Sequence, residues 1–274
     1  MRINRPFVEY WPQGDDYDSH VARCARVCYA SNGTTSYKLV WNLRDSGHLS
    51  MFRHVGRYYV IPEARVRIPA EIRAYVNIVK GPNTAWYVST NGQVADKYFE
   101  KYRDYEISWH EARRDKTFFD NKMIYYTFVV NTGIDITREL NRKSPNAIAE
   151  QSTRYVDFNK KVGIQFKKCE WMNLANWYKK ILYKSMCWLD AAFYHISRSP
   201  YGLNLTPEDA RWCLFLDSWT RAVYTYTVKD WEYIINLRLF DYTGRAHPDV
   251  HPIMNEIKTY LENNQYKIIN YKNK

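Results

Sequence analysis

An α+β domain is the fold class this sequence predicts, and three observations carry it. Short β-rich runs crowd the first half, long amphipathic patterns fill the second, and no repeat or linker divides them. A chain of 274 residues can bury one full core of that kind, so residues 1–274 read as a single domain.

The elements follow in order. Between Ser19 and Tyr29, Val21, Cys24, Ala25 and Cys28 recur at helical spacing, and SNGTTS supplies the turn that ends the helix. RYYVI (57–61), ARVRI (64–68), TAWYVST (84–90) and MIYYTFVV (123–130) are rich in β-branched and aromatic residues and read as strands, punctuated by Pro62, Pro69 and Pro82. The charged stretch VADKYFEKYRDYEISWHEARRD reads as solvent-facing helix. Residues 170–197 form a long amphipathic helix whose apolar stripe is Trp171, Leu174, Trp177, Ile181, Met186, Leu189 and Phe193. Thr206 as N-cap, Pro207 at the first helical position and Asp209 in the first turn start another helix. VKDWEYIINLRLF and HPDVHPIMNEIKTYLEN read as the last two. The expected result is an antiparallel or mixed sheet with a largely helical C-terminal half.

Composition narrows the classes. With 46% apolar residues, 25 Tyr, 11 Phe and 10 Trp, the chain is not a disordered one. It has no apolar run of 18 residues and no secretion-type N-terminus, which predicts a cytoplasmic protein with no membrane partner. Five cysteines without a CxxC argue against a disulfide framework, and Cys24 and Cys28 lack the further ligands a zinc site needs, so no metal is expected. The net charge of +11 is scattered, and no basic block reaches five residues. A pocket for small anions accounts for it without nucleic acid.

The stretch RELNRKSPNAIAEQSTRYVDF, from Arg138 to Phe158, is too polar for a core element. Arg142, Lys143, Ser144, Ser152 and Arg154 gather guanidinium, ammonium and hydroxyl donors, and QSTRY is a plausible phosphate cradle because arginine grips phosphate with two parallel hydrogen bonds. Glu150 beside it can accept hydrogen bonds from a base edge or a cofactor ring. An arbitrary loop of this composition would simply be solvated.

Further segments point the same way. RELNR…AEQSTRY resembles the RHRxxSxxExSxRY signature of the flavin-dependent thymidylate synthases, the ThyX family. GHLSMFRHVGRYYVI (47–61) is similar to that family's HxSxxEHxxFTF segment, VARCARVCYAS (21–31) to its first helix, and RAHPDVHPI (245–253) to its closing motif. LTPEDARWCLFLDSWTRAVYTYTVKDWEYIINLRL resembles its C-terminal helical region.

The resemblance implies an α/β ThyX-like fold and an enzyme that methylates dUMP to dTMP. The methylene comes from methylenetetrahydrofolate, FAD is the cofactor, NADPH the reductant, and the active sites are shared within a homotetramer. It also implies roles by residue. Ser152 and Arg154 fall where the family holds the dUMP phosphate, with Gln151 and Thr153 between Glu150 and Arg154 in the same motif. Glu139 and Arg221 match further nucleotide contacts, Arg221 as a helical arginine. Glu150 matches the glutamate beside pyrimidine and flavin, and Arg142 the first arginine of RHR, a contact to nucleotide and flavin. His54, Lys143, Ser144, Asn236 and Arg238 fall at flavin positions. His251 stands at the arginine that stabilises the ionised pyrimidine edge, so His251 and Glu150 are the catalytic expectations. Taken alone, His54 would be an ordinary strand histidine, and Arg221 and Arg238 surface residues of helices.

The pattern also breaks. Lys143 replaces the histidine of RHR, Ser144 its second arginine and Ala147 the motif serine, while Arg53 replaces the EH glutamate. Lys143 keeps a charge but not the planar fork. Pro145 biases Ser144 away from helix. His251, mostly neutral near pH 7 as an ordinary histidine, would suit a ring that is not ionised at N3. These departures leave open a family enzyme with a hydroxymethyl product or a dCMP-type substrate. They also leave open a catalytically silent nucleotide- or nucleic-acid-binding homologue.

Overall fold

The computed structural model describes residues 1–33, 36–62, 66–143, 145, 147–161 and 163–273. Its strands are β1 (Arg2–Asn4), β2 (Phe7–Trp11), β3 (Gly56–Pro62), β4 (Val76–Lys80), β5 (Ala85–Asn91), β6 (Glu106–Ile107), β7 (Tyr125–Gly133), β8 (Ile148–Glu150), β9 (Gln165–Lys167) and β10 (Trp219–Thr227). The first helices are α1 (Tyr17–Cys28), α2 (Ser36–Asp45), α3 (Gly92–Tyr98), α4 (Trp109–Arg114), α5 (Lys116–Asp120) and α6 (Ile134–Leu140). They are followed by α7 (Trp171–Leu174), α8 (Trp177–Arg198), α9 (Pro207–Ala210), α10 (Val228–Arg238) and α11 (His251–Asn263). The class is α+β, as expected.

The central sheet runs β2-β7-β10-β8, antiparallel throughout. Successive side chains of a strand point to opposite faces, and here both faces are covered. Val129, Val223 and Ala149 meet Cys24 and Val27 of α1 on one side. Phe128, Val130, Ala222 and Tyr224 join Trp231, Ile235, Ile253 and Met254 of α10 and α11 on the other. A second antiparallel sheet, β4-β5-β3-β6, carries its own aromatic cluster around Tyr59, Phe99 and Tyr102. Gln13 joins the two sheets: its buried amide donates to Gly56 O and accepts from Gly56 N at 2.8 and 2.7 Å. A Cβ at Gly56 would fall 2.6 Å from the Tyr125 ring, so only glycine lets the sheets approach this closely. The short β1 pairs in parallel with β9.

Four expectations need correction. SWTRAVYTYT is the strand β10, not helix, so Arg221 sits on a strand beside β7 and β8 and strands do not end before helices begin. The charged stretch 94–115 is broken into short pieces, and Phe99, Tyr102, Trp109 and Ala112 bury the second sheet's flank, so it is not a solvated helix. In 64–68, residues 66–68 form no strand, and Ala64 and Arg65 lie outside the described residues. His54 closes a 3-10 turn rather than lying in a strand.

The largest departure concerns α8. The single helix expected over 170–197 is broken: Trp171 and Leu174 lie on the separate α7, α8 starts only at Trp177, and its apolar stripe faces outward. Trp177 is 74% exposed and Trp188 62%, and Ile181, Leu182, Leu189 and Phe193 are exposed with them. The buried side carries Cys187, Asp190, Tyr194 and Ser197.

Candidate functional site

The segment 148–154 is positioned by β10. The register Ala222↔Glu150 lays β8 along the sheet edge, and Gln151 N extends the pairing to Arg221 O at 2.8 Å. Ala149 points into the core under α1, so Glu150 points to the opposite face, toward α6. There its carboxylate is held from three directions. Thr137 Oγ1 donates at 2.7 Å, Asn141 Nδ2 at 3.2 Å and Thr220 Oγ1 at 3.4 Å. Asn141 is fixed in turn by Tyr224, whose buried hydroxyl donates to Asn141 Oδ1 at 2.9 Å.

After Glu150 the chain turns. Ser152 N donates to Cys28 O, and Ser152 Oγ accepts from Arg154 N and Tyr155 N at 3.0 and 3.2 Å. With its oxygen used as a cap, the hydroxyl hydrogen remains to donate outward. Arg154 is half-exposed, pairs with Glu208 at 2.8 Å, and lies over the Tyr155 ring. Glu208 holds the Arg154 pKa above its ordinary value.

Glu150, Gln151, Ser152, Thr153 and Arg154 line one open cavity of about 790 Å³. Arg138 and Asn141 of the α6 side and Arg211, Trp212, Leu214 and Leu216 complete its walls. Three guanidinium-bearing residues and a fixed carboxylate thus share a space of nucleotide size. Sequence reasoning missed Thr137, Asn141, Thr220 and Arg211, since nothing local marks them as neighbours of Glu150.

The other expected residues are dispersed. Arg221 reaches the opposite face of the sheet, where it pairs with Glu9 at 3.0 Å. Glu139 is shared by Arg142 at 3.5 Å and Arg238 at 3.1 Å. Lys143, largely covered, pairs with Asp230 at 3.0 Å and lies near the Tyr226 ring. Ser144 lies outside the described residues. His251 opens α11 with Nε2 buried and 3.8 Å from Asp241, and it does not line this cavity.

His54 and Asn236 are fully buried. The Asn236 amide donates to Glu232 O and Ile269 O and accepts from Tyr271 N. His54 Nδ1 meets Thr225 Oγ1 at 2.9 Å, Thr225 meets Thr127, and Thr127 meets His20 Nε2, a polar chain through the core. Burial, and secondarily each ring's nearest basic neighbour, pushes the pKa down to about 3 for His54 and about 4 for His20. The expectation that His54 and Asn236 touch FAD meets no open surface here, because both are committed to the fold.

Lys167, with no exposed surface, donates to Asp135 at 2.5 Å and to Asp249, with Asp217 at 3.7 Å. Asp135, His247 and Asp249 bring donor atoms within 4.8 Å of one another, but the Lys167 ammonium already bridges the two carboxylates. Burial raises the thiols of Cys24 and Cys28, so neither is poised as a thiolate ligand or nucleophile.

The profile of the family described as thymidylate synthase complementing protein, Thy1, matches residues 115–263, more than half of the chain. The chain belongs to that family. The matched Thy1 region contains β7, α6, β8, α8, β10 and α10, and so every wall of the cavity around Glu150. Among solved structures, the chain is similar to a UMP/dUMP methylase, PolB, from Streptomyces cacaoi bound with 5-Br dUMP. The identity is 14%, covering 96% of this chain and 93% of that one, with a TM-score of 0.48. It is also similar to Thymidylate Synthase X (ThyX) from Helicobacter pylori with FAD and dUMP, at 15% identity over 57% of this chain and 78% of that one, TM-score 0.41. No curated protein sequence matches it. The described residues contain no helix long and apolar enough to cross a membrane.

Proposed function

We propose that this Thy1-family chain is an enzyme that binds a pyrimidine nucleoside 5′-monophosphate, dUMP in the first place, in the cavity around Glu150 and methylates its base. The observation that carries the reading is the immobilised Glu150 carboxylate beside the Ser152 hydroxyl and the Arg154 guanidinium. The phosphate is received by Ser152, Arg154 and Arg211, and Arg154 exchanges Glu208 for the ligand. Glu150, held by three donors, cannot swing to meet a ligand. It therefore acts as a fixed acceptor for an N–H of the base.

Methylenetetrahydrofolate as carbon donor and FAD with NADPH as reductant belong to this reading through family membership. Within one chain the expected flavin contacts do not assemble. His54 and Asn236 are buried, Lys143 is held by Asp230, and Arg142 and Arg238 share Glu139. Arg142, largely exposed, is the contact most open to a flavin.

A second copy of the chain completes the site. Trp212, 65% exposed, and Leu216 line the nucleotide cavity and continue the outward apolar face of α8, which packs against this segment. Such a face is far larger than scattered surface hydrophobics require, and a copy seated on it would roof the cavity. This supports a homo-oligomer, a tetramer by family precedent, with shared sites.

The test is calorimetric titration with dUMP, UMP and dCMP, followed by turnover with methylenetetrahydrofolate, FAD and NADPH. Saturable dUMP binding with dTMP as product is expected. Turnover of dCMP alone, or a hydroxymethyl product, would establish the altered-chemistry reading instead. Absence of nucleotide binding would sink both.

A further inference from the structure

Among the exposed aromatic residues, Trp212 stands apart. It is 65% exposed, far from the burial usual for the largest side chain, and it lines the cavity around Glu150, which Trp171, Trp177 and Trp188 do not.

The turn that presents this ring is fixed. Thr206 Oγ1 accepts from Asp209 N at 3.2 Å where α9 begins, and Leu214 N closes the 3-10 turn Arg211–Cys213 onto Arg211 O at 3.1 Å. Ala210 and Cys213, to either side of Trp212 in the chain, are buried against Val156, Phe158 and Tyr194. Val156 and Phe158 directly follow the motif that ends at Arg154, and Val156 N donates to Ser152 O at 3.3 Å. One apolar cluster therefore holds the backbone beside Trp212 and the backbone beside Ser152 in a fixed relation. The ion pair of Arg154 with Glu208 of α9 ties the same two segments at 2.8 Å.

The walls divide the chemistry between them. The Glu150 carboxylate offers acceptors, Ser152, Arg154 and Arg211 offer donors, and Trp212 offers an aromatic face. A carboxylate meets a base only at its edge, and the cations meet only its phosphate, so neither grips the flat face of the ring. Leu214 and Leu216 are apolar walls without a π-system. Every base carries a π-face, and aromatic side chains bind it by stacking. We infer that Trp212 is the platform on which the pyrimidine ring stacks, a specificity-determining residue that selects base-bearing monophosphates over sugar phosphates. The inference rests on the reading of this cavity as the nucleotide site and adds to it the group that grips the base.

Calorimetry of the whole protein with dUMP and with deoxyribose 5-phosphate, which lacks the base, tests it in the parent and two variants. Trp212→Leu keeps an apolar side chain for a second copy to cover but has no ring, and it should weaken dUMP by about 10- to 100-fold. Deoxyribose 5-phosphate should bind this variant as it binds the parent, so the preference for dUMP collapses. Trp212→Phe restores a ring and should bring dUMP back to within about threefold of the parent. Indole fluorescence gives a second readout: 5-bromo-dUMP, whose heavy atom quenches a stacked indole, should quench the parent more than Trp212→Phe. Unchanged dUMP affinity in Trp212→Leu, equal loss of dUMP and deoxyribose 5-phosphate, or the same quenching in Trp212→Phe as in the parent would overturn the inference while leaving the nucleotide site standing. A parent that binds no dUMP would overturn both.

Discussion

Thr137 Oγ1 lies 2.7 Å from Glu150 Oε1, and this contact fixes the direction in which the carboxylate of the nucleotide cavity faces. Thr137 is fully buried. Thr137→Val keeps its shape and removes the donor, at a cost of roughly 1 kcal/mol in net hydrogen bonding. The expected outcome is a fall of about tenfold in kcat/KM for nucleotide turnover, with the thermal midpoint nearly kept. A steady-state assay beside a melting curve checks it.

Arg154→Ala separates binding from folding. Its ion pair with Glu208 is half-exposed and screened by solvent, so losing the pair should leave the thermal midpoint nearly unchanged. Losing a charged donor to phosphate should weaken dUMP by about 10- to 100-fold, since such hydrogen bonds contribute roughly 1.5–3 kcal/mol. Unchanged dUMP affinity would remove the phosphate role.

Lys167→Met leaves Asp135 and Asp249 without their cation. Breaking a buried pair by removing one partner costs about 3–5 kcal/mol. Chemical denaturation should show a loss of that size, and Lys167→Met combined with Asp135→Asn and Asp249→Asn should recover part of it.

Protonation of the buried histidines makes the fold acid-labile. Both have folded pKa values below the ordinary histidine value of about 6.5, so the unfolded chain binds more protons between there and about 4 for His20 or about 3 for His54. Stability is therefore complete above about pH 6.5 and falls as pH drops through that window, on the order of 1 kcal/mol per pH unit for each ring. His20→Gln, which can still meet Thr127, should flatten the slope relative to the parent in urea titrations at pH 7 and pH 5. Identical slopes would disprove the assignment.

Trp188→Glu tests the outward face of α8. Light scattering should show an oligomer for the parent and smaller species for the variant, with far-UV circular dichroism unchanged. A parent that is monomeric would refute the shared site.

Legibility in the sequence followed distance along the chain. The α1, β3, β5, β7, α10 and α11 spans lay close to their periodic patterns because each pattern is local. The strand β10 was hidden: buried on both faces over most of its length, it lacks a sustained alternation of apolar and polar residues, and it stands next to helical sequence. The α8 stripe had the right period, but periodicity reports an apolar face without reporting what covers it. Glu150 to Arg154 could be found as a unit because they are contiguous. Thr137, Asn141 and Thr220 could not, since Thr220 arrives through the Ala222↔Glu150 register and Thr137 and Asn141 through the packing of α6, neither of which is local in sequence.

The antiparallel order β2-β7-β10 bears on biosynthesis. Phe7–Trp11 needs Thr127–Asn131 as its neighbour, and that strand needs Trp219–Thr227. At about 5–20 residues per second, roughly 10–40 s pass between the emergence of the first strand and the last. Over that interval the nascent chain carries an open sheet edge, and the outward tryptophans of Trp177–Arg198 emerge before the sheet closes. A chaperone shielding the ribosome exit would therefore meet its heaviest demand in the stretch before residue 227, and synonymous codons that slow translation there would lengthen the exposure.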